Sequence, residues 1–323
     1  MKNVMSSFYL FVFFISLVPT LKTFAWDAAE HIQITSEAFK MLQEKTLLSA
    51  VNENVFQIVA QNTALPDSSE DLQMCYLTYK LGRVVQVCTP SYTFKLAFIP
   101  IKYPNAPNVS TLEHFYDATT ATGLSFENEP NRFIKYMLDV ISKPLPRFPR
   151  FMNQYETSIV DADGRRCLIN SCQFKSAFDK ASEYLDLILS NKDRVKNRYN
   201  LGYFLHYIQE VTNPYHASNI TKKMLIAGEM IDHQEYEKMA TGMVRDRVLR
   251  KQRAQISSYY QSYLELFEKD KNLLSLFHQV ALDSHRQSGD AKSNLELSED
   301  ISTNLARGVA VTMIVLKQLE NSY

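Results

Sequence analysis

The stretch LHYIQEVTNPYHASNIT, Leu205 to Thr221, sets His206, Glu210 and His216 close together. His206 and Glu210 are four apart, so on a helix their side chains leave one face about a turn apart. Pro214 lacks an amide hydrogen and disfavours helical backbone at Asn213, so the helix is predicted to stop or kink there and re-aim His216. Neutral imidazole and carboxylate are the usual non-thiolate ligands of zinc, and the stretch reads as half of a zinc site. Taken alone, it fits equally well an ordinary helix whose polar face carries two histidines and a glutamate.

Working outward, the chain is helical in pattern. Only eight glycines occur in 323 residues, and apolar side chains recur at steps of three and four. Helices are predicted over residues 32–44, 50–62, 131–142, 175–190, 195–212, 236–266, 271–282 and 299–319. In the last of these Ile301, Leu305, Val309, Met313 and Leu316 mark one apolar stripe. Residues 83–101 instead alternate branched and aromatic side chains around Cys88-Thr89-Pro90-Ser91, which predicts a small β-hairpin inserted into a helical body. Residues 143–172 contain Pro144, Pro146, Pro149 and Asp163-Gly164 and read as a surface excursion. The fold class expected is all-α, a single helical domain with one inserted hairpin.

The N-terminus has Lys2, an apolar run from Phe8 to Val18 and the small-residue cleavage pattern Thr23-Phe24-Ala25. This predicts a secretory signal peptide over residues 1–25 and an exported mature domain over 26–323. The run is too short to span a membrane, which takes roughly 20 apolar residues, and no later stretch qualifies. The leader holds two of the 35 basic residues and no acids, which leaves the mature chain 33 basic against 35 acidic residues, a formal charge of −2. Neither a polybasic nucleic-acid binder nor an acidic tail is indicated. Cys75, Cys88, Cys167 and Cys172 all lie in the exported part, where proximity favours Cys75 with Cys88 and Cys167 with Cys172 among three possible connectivities. Asn108-Val-Ser110 and Asn219-Ile-Thr221 match the glycosylation acceptor pattern.

Histidine is scarce, with seven residues in the whole chain. His233 precedes Glu237 by four residues in HQEYE, repeating the spacing of His206 and Glu210, so two helices each offer a paired nitrogen and oxygen donor. His114 lies in EHFYD. Trp26, the one tryptophan, becomes the first residue after cleavage at Ala25, and its free amine and carbonyl oxygen can chelate a metal beside His31. An ordinary N-terminal aromatic is the competing reading of Trp26.

Trp26, HIQITSEAFKML after it, Pro66-Asp67, HFYD at 114–117, LHYIQEVTNPYHASN at 205–219 and HQEYE at 233–237 occur in the order and context of zinc-dependent phospholipase C. The chain resembles the bacterial phosphatidylcholine-preferring type over these islands, from Trp26 to Glu237. The resemblance implies three zinc ions in an all-helical domain. Asp67, His114, His206 and Glu210 would hold the first; His216, His233 and Glu237 the second; Trp26, through amine and carbonyl, and His31 the third, with Glu210 bridging it to the first. His278 and His285 match nothing in the pattern and are expected to be surface or core histidines.

The implied chemistry is hydrolysis of the glycerol–phosphate bond of phospholipids at a membrane surface, by water activated on metal, with Asp67 as proton acceptor. A monomer is expected. This chain departs from the family at Glu210, where Asp is usual, and at Ser68 and Thr111, where the choline-specific enzymes present aromatic residues, so no aromatic cage for choline is evident. Asp71 stands close enough to replace Asp67 as ligand. The expected organisation is the helical domain without the separate membrane-docking β-sandwich that some toxins of the family carry. Two alternatives stay open. The related single-strand nucleases share the three-zinc constellation and would make nucleic acid the substrate, and an exported helical protein with purely structural zinc needs no substrate.

Overall fold

The computed structural model describes residues 28–48, 53–68, 73–80, 83–89, 93–96, 99–102, 113–123, 158–160, 164–168, 174–218, 230–245, 248–286 and 294–323. The leader, Trp26, Asp71, Cys172, both glycosylation sequences and the helix predicted over 131–142 lie outside these residues. In chain order the elements are α1 (Ala28–Glu44), α2 (Glu53–Asn62), a 3-10 turn (Pro66–Ser68), strands β1 (Gln73–Lys80), β2 (Arg83–Thr89), β3 (Thr93–Leu96), β4 (Ile99–Lys102), β5 (Ser158–Val160) and β6 (Arg166–Leu168), then α3 (Ala177–Ser190), α4 (Arg194–Glu210), α5 (Met230–Arg245), α6 (Val248–Lys251), α7 (Arg253–Asp270), α8 (Leu273–His285), α9 (Asn294–Gln318) and a closing 3-10 turn (Glu320–Ser322). The protein is predominantly α-helical, as the periodicity predicts.

Helix α9 organises the core. Its predicted stripe, Ile301, Leu305, Val309, Met313 and Leu316, is fully buried, and so are Ala306, Ala310, Val311, Ile314 and Val315 on the other faces. A helix apolar all round belongs in the interior, and α1, α4, α5 and α7 pack around this one. Each of the larger side chains, Val, Leu, Ile or Met, contributes roughly 1.5–3 kcal/mol through burial. One helix predicted over 236–266 is instead three, α5, α6 and α7. An unbroken helix of that span would run about 46 Å; the breaks let α5 pack on α1 and α9 while α7 packs on α8 and α9.

The β-structure also corrects the sequence reading. Strands β1 and β2 pair antiparallel across residues 81–82, and β3 pairs with β4, so 83–101 is shared between two hairpins. Pro90 has no amide to donate to a ladder, so the strand ends before it at Thr89. The Cys75–Cys88 disulfide joins directly opposed positions of β1 and β2. Residues 143–172 do not merely loop over the surface, for β5 pairs with β1 and β6 with β5, giving a four-stranded antiparallel sheet in the order β2-β1-β5-β6. Gly164, with φ +77°, supplies the left-handed backbone between β5 and β6 that Asp163-Gly164 signals.

Two local devices position the site. Asp193 caps α4 by accepting from the amides of Val195 and Lys196 at 2.9 and 3.3 Å. Halfway along α4, Gly202 lets α2 approach so closely that a Cβ there would lie 2.5 Å from the Asn62 Cβ. This brings the end of α2, with Thr63 and the Asp67 turn behind it, against the last turns of α4.

Candidate metal centre

The last turns of α4 carry His206 and Glu210, both fully buried, with the Glu210 Oε1 3.2 Å from the His206 Nε2. α4 ends at Glu210, and the chain turns through Asn213-Pro214. The Asn213 carbonyl accepts from the amides of His216 and Ala217 at 3.0 and 3.1 Å. This turn swings His216 back until its Nδ1 lies 3.1 Å from the Glu210 Oε2.

The other donors arrive from remote parts of the chain. His31, on the first turn of α1, places Nε2 3.1 Å from the Glu210 Oε1. His114 sits in the irregular segment 113–123, with Nδ1 3.3 Å from the Glu210 Oε1 and 3.8 Å from the Asp67 Oδ1. That segment is tied down on three sides. The Tyr116 amide donates to the His216 carbonyl at 2.8 Å; buried Lys180 of α3 pairs with Glu113 at 3.4 Å; and the Tyr116 hydroxyl meets the His278 Nδ1 at 2.7 Å. Asp67, from the 3-10 turn, lies 3.9 Å from the His206 Nε2. On the far side, Glu237 of α5 places Oε1 3.9 Å from the His216 Nε2. His233 lies one turn before Glu237 on α5, and its side chain is outside the described atoms.

Donor atoms of His31, Asp67, His206 and Glu210 all fall within 4.8 Å of one another. The resemblance assigns His31 to a different ion from Asp67 and His206, whereas the fold gathers these three around Glu210, with His114 on the same oxygen as His31 and His206. His278 and His285 stand apart, bonded to the Tyr116 hydroxyl and, at 3.2 Å, to the Ala217 carbonyl.

Several partners absent from the sequence reading orient the imidazoles. Gln209 accepts from the His31 Nδ1 at 2.8 Å, while its amide donates to the Thr35 and Thr312 hydroxyls at 2.9 and 3.0 Å. The Thr63 carbonyl accepts from the His206 Nδ1 at 2.8 Å. In both histidines this fixes the ring so that Nε2 faces Glu210, and in His206 it places the proton on Nδ1. The available signal was Thr312, a hydroxyl inside the otherwise apolar run Val309 to Leu316.

The electrostatics centre on Glu210. Burial opposes its ionisation, yet the charges of His114 and His216, and their hydrogen bonds, hold it well below the usual carboxylate range. Burial alone would depress the His31 imidazolium, but the hydrogen bond and charge of Glu210, aided by Asp67 and Gln209, raise it to about 9. His206 goes the other way, pushed well below its ordinary value by burial and then by the His31 cation.

The donor set suits a divalent cation. The Nε2 atoms of His114 and His206 are buried with no hydrogen-bond partner, an arrangement that costs free energy unless something else meets them. Tetrahedral zinc with bonds of about 2.0–2.1 Å keeps its ligand atoms about 3.3 Å apart, close to the nitrogen–oxygen separations around Glu210.

Fold and site together define a predominantly helical protein with a buried histidine and carboxylate cluster able to hold metal. Among solved structures the chain is similar to the alpha toxin from Clostridium absonum, at 14% identity, 92% of this chain, 66% of that chain and a TM-score of 0.49. It is also similar to the Clostridium perfringens alpha-toxin isolated from avian strain SWCP, at 12% identity, 91% of this chain, 63% of that chain and a TM-score of 0.45. The chain spans just under two thirds of the length of each toxin. No protein-family model and no curated protein matches the chain.

Proposed function

We propose that the chain is an exported zinc-dependent phospholipase C, processed after Ala25 to a single mature domain over 26–323, that cleaves the glycerol–phosphate bond of phospholipids such as phosphatidylcholine. The observation that carries the reading is the convergence of His31, His114 and His206 on one buried oxygen of Glu210, at 3.1, 3.3 and 3.2 Å. It comes from the same motifs whose order along the chain resembles that enzyme family.

In this reading Asp67, His114, His206 and Glu210 would hold one zinc, His216, His233 and Glu237 a second, and Trp26 with His31 a third, to which Glu210 would also contribute. Zinc bound there lowers the pKa of water and neutralises charge building on the phosphoryl oxygens. Gln209 and Thr63 hold the His31 and His206 rings with Nε2 toward Glu210, where it would be available to a metal. Asp67 accepts a proton from the water whose oxygen attacks phosphorus. The bond from phosphorus to the glycerol oxygen breaks, that oxygen takes up a proton, and diacylglycerol and the phosphorylated head group depart.

The test compares phosphatidylcholine, other phospholipids and single-stranded DNA side by side on zinc-loaded mature protein. Diacylglycerol release, with close to three zinc ions per chain, is the expected result. Cleavage of DNA without cleavage of lipid would replace this reading by the nuclease, and bound zinc with neither activity would leave only the structural role. One extra residue before Trp26 should lower activity by displacing the amine, and an unaffected enzyme removes Trp26 from the site.

A further inference from the structure

Four of the five large hydrophobic side chains that stand most exposed among the described residues crowd one place, the turn between α3 and α4: Leu187 at 47%, Leu189 at 65%, Val195 at 53% and Tyr199 at 46% exposed. Ile188 points inward and is buried, so its neighbours Leu187 and Leu189 splay to either side of α3. On α4, Asn197 is buried, which turns Val195 and Tyr199 outward together, four residues apart. Leaving these side chains in water has no structural benefit, since α3 and α4 already bury Ala181, Leu185, Ile188, Leu201 and Leu205 between them and the core.

The charge around them is one-sided. Residues 186–199 carry Lys192, Arg194, Lys196 and Arg198 against Asp186 and Asp193, a net +2 within a chain whose formal charge is zero. Lys192, Arg194 and Lys196 are exposed, and the Asp193 carboxylate is engaged in capping α4. Apolar tips inside a collar of lysine and arginine match the boundary between anionic head groups and acyl chains. Two copies of the tip would repel each other, which argues against self-association. A nucleic acid would leave Leu187, Leu189 and Val195 without apolar contact.

We propose that the α3–α4 tip is a docking surface for an anionic phospholipid membrane. The same face continues toward the metal centre. Tyr199, Tyr203 and Tyr207 follow one another at four-residue steps along about 12 Å of α4. The Tyr184 ring stacks on Tyr203 and Tyr207 at 4.9 and 6.1 Å, and Tyr207 meets His114 edge-on at 5.7 Å. An aromatic row therefore links the exposed tip to a residue assigned here to zinc. The role of that row in delivering substrate rests on the phospholipase reading; the docking itself does not.

The experiment is cosedimentation of zinc-loaded mature protein with vesicles of phosphatidylcholine alone and of phosphatidylcholine mixed equally with phosphatidylglycerol. Tighter binding to the mixed vesicles, weakening as salt is raised, is expected. Lys192→Glu with Lys196→Glu should weaken that binding roughly 25-fold, and Val195→Asp with Tyr199→Ser by roughly tenfold or more. Both pairs should keep the zinc content and circular dichroism, and the lysine pair the turnover of monomeric short-chain phosphatidylcholine. Binding unchanged by either pair, no binding of the unaltered protein to mixed vesicles, or a dimer dissolved by the Val195 and Tyr199 changes would overturn the proposal. Vesicle binding without any lipid turnover would refute the phospholipase reading and leave the docking surface standing.

Discussion

The two ends of helix α4 invert the usual distribution of side chains in opposite senses. At its C-terminal end His206, Gln209 and Glu210 are fully buried, while at its N-terminal end Val195 and Tyr199 stand in water. Buried polar groups cost free energy unless paired, and exposed apolar groups forgo the gain of burial. The two departures differ in kind. The buried end is held by partners that are 178 and 179 residues distant in the case of His31, so its geometry depends on the whole fold. The exposed end is held by its own cap and, through buried Asn197, by the end of α3 and the C-terminal turn, whose Ser322 carbonyl accepts at 2.8 Å; Val195 and Tyr199 themselves stand clear of these bonds. One helix thus separates a preorganised centre from a surface free to meet a partner.

The sharpest way to break this contrast is Glu210→Gln. Removing the charge shared by His31, His114, His206 and His216 should cost more than one zinc ion and lower lipid hydrolysis roughly a thousandfold or more; metal analysis with initial rates reads it, and full zinc with normal rates would remove Glu210 from the centre. Glu210→Asp should retain metal and much of the activity.

Next in size is a pH effect. With His31 raised to about 9, the metal-free protein holds a proton on this ring at pH 7 that zinc must displace. Apparent zinc affinity should therefore climb roughly tenfold per pH unit on approach to pH 9 and flatten above it, through this one proton. Competition with a chelator measures it, and a flat profile between pH 7 and 9 contradicts the assignment.

Gln209→Leu tests orientation without touching a donor. It should lower zinc affinity or activity 10- to 100-fold, roughly the cost of removing a group that orients a ligand. Because Thr35 and Thr312 lose their partner, stability should also drop by about 1–3 kcal/mol, seen by denaturant unfolding. The smallest effect belongs to the other end of the helix. Asp193→Ala should cost about 0.5–2 kcal/mol through loss of the cap and leave zinc content unchanged; loss of metal would show that the two ends are coupled.

Much of the fold is legible because helices announce themselves locally. The three and four residue steps mark α1, α3, α4, α8 and α9 to within a few residues, and Pro214 stands four residues beyond the end of α4. The strands are less legible, since alternation continues across both hairpins. The partnership of β5 with β1, in a stretch read as a loop, depends on strands some eighty residues apart. The break between α5 and α7 is likewise decided by what each half packs against.

In the site, the i, i+4 spacing of His206 with Glu210 and the turn at Pro214 are properties of the chain itself, fixed by helix geometry and by proline's missing amide. Trp26 and His233 remain assignments from sequence alone. That Glu210 is the meeting point of four histidines is a tertiary result, because side chains from α1, the 113–123 segment, α4 and the turn after it converge only once the core around α9 is packed. The same packing buries Gln209 and turns Val195 and Tyr199 outward. Sequence determines which donors are available and on which helix faces they stand; the fold decides which of them meet, because contact between remote residues is set by how the apolar faces of the helices close on one another.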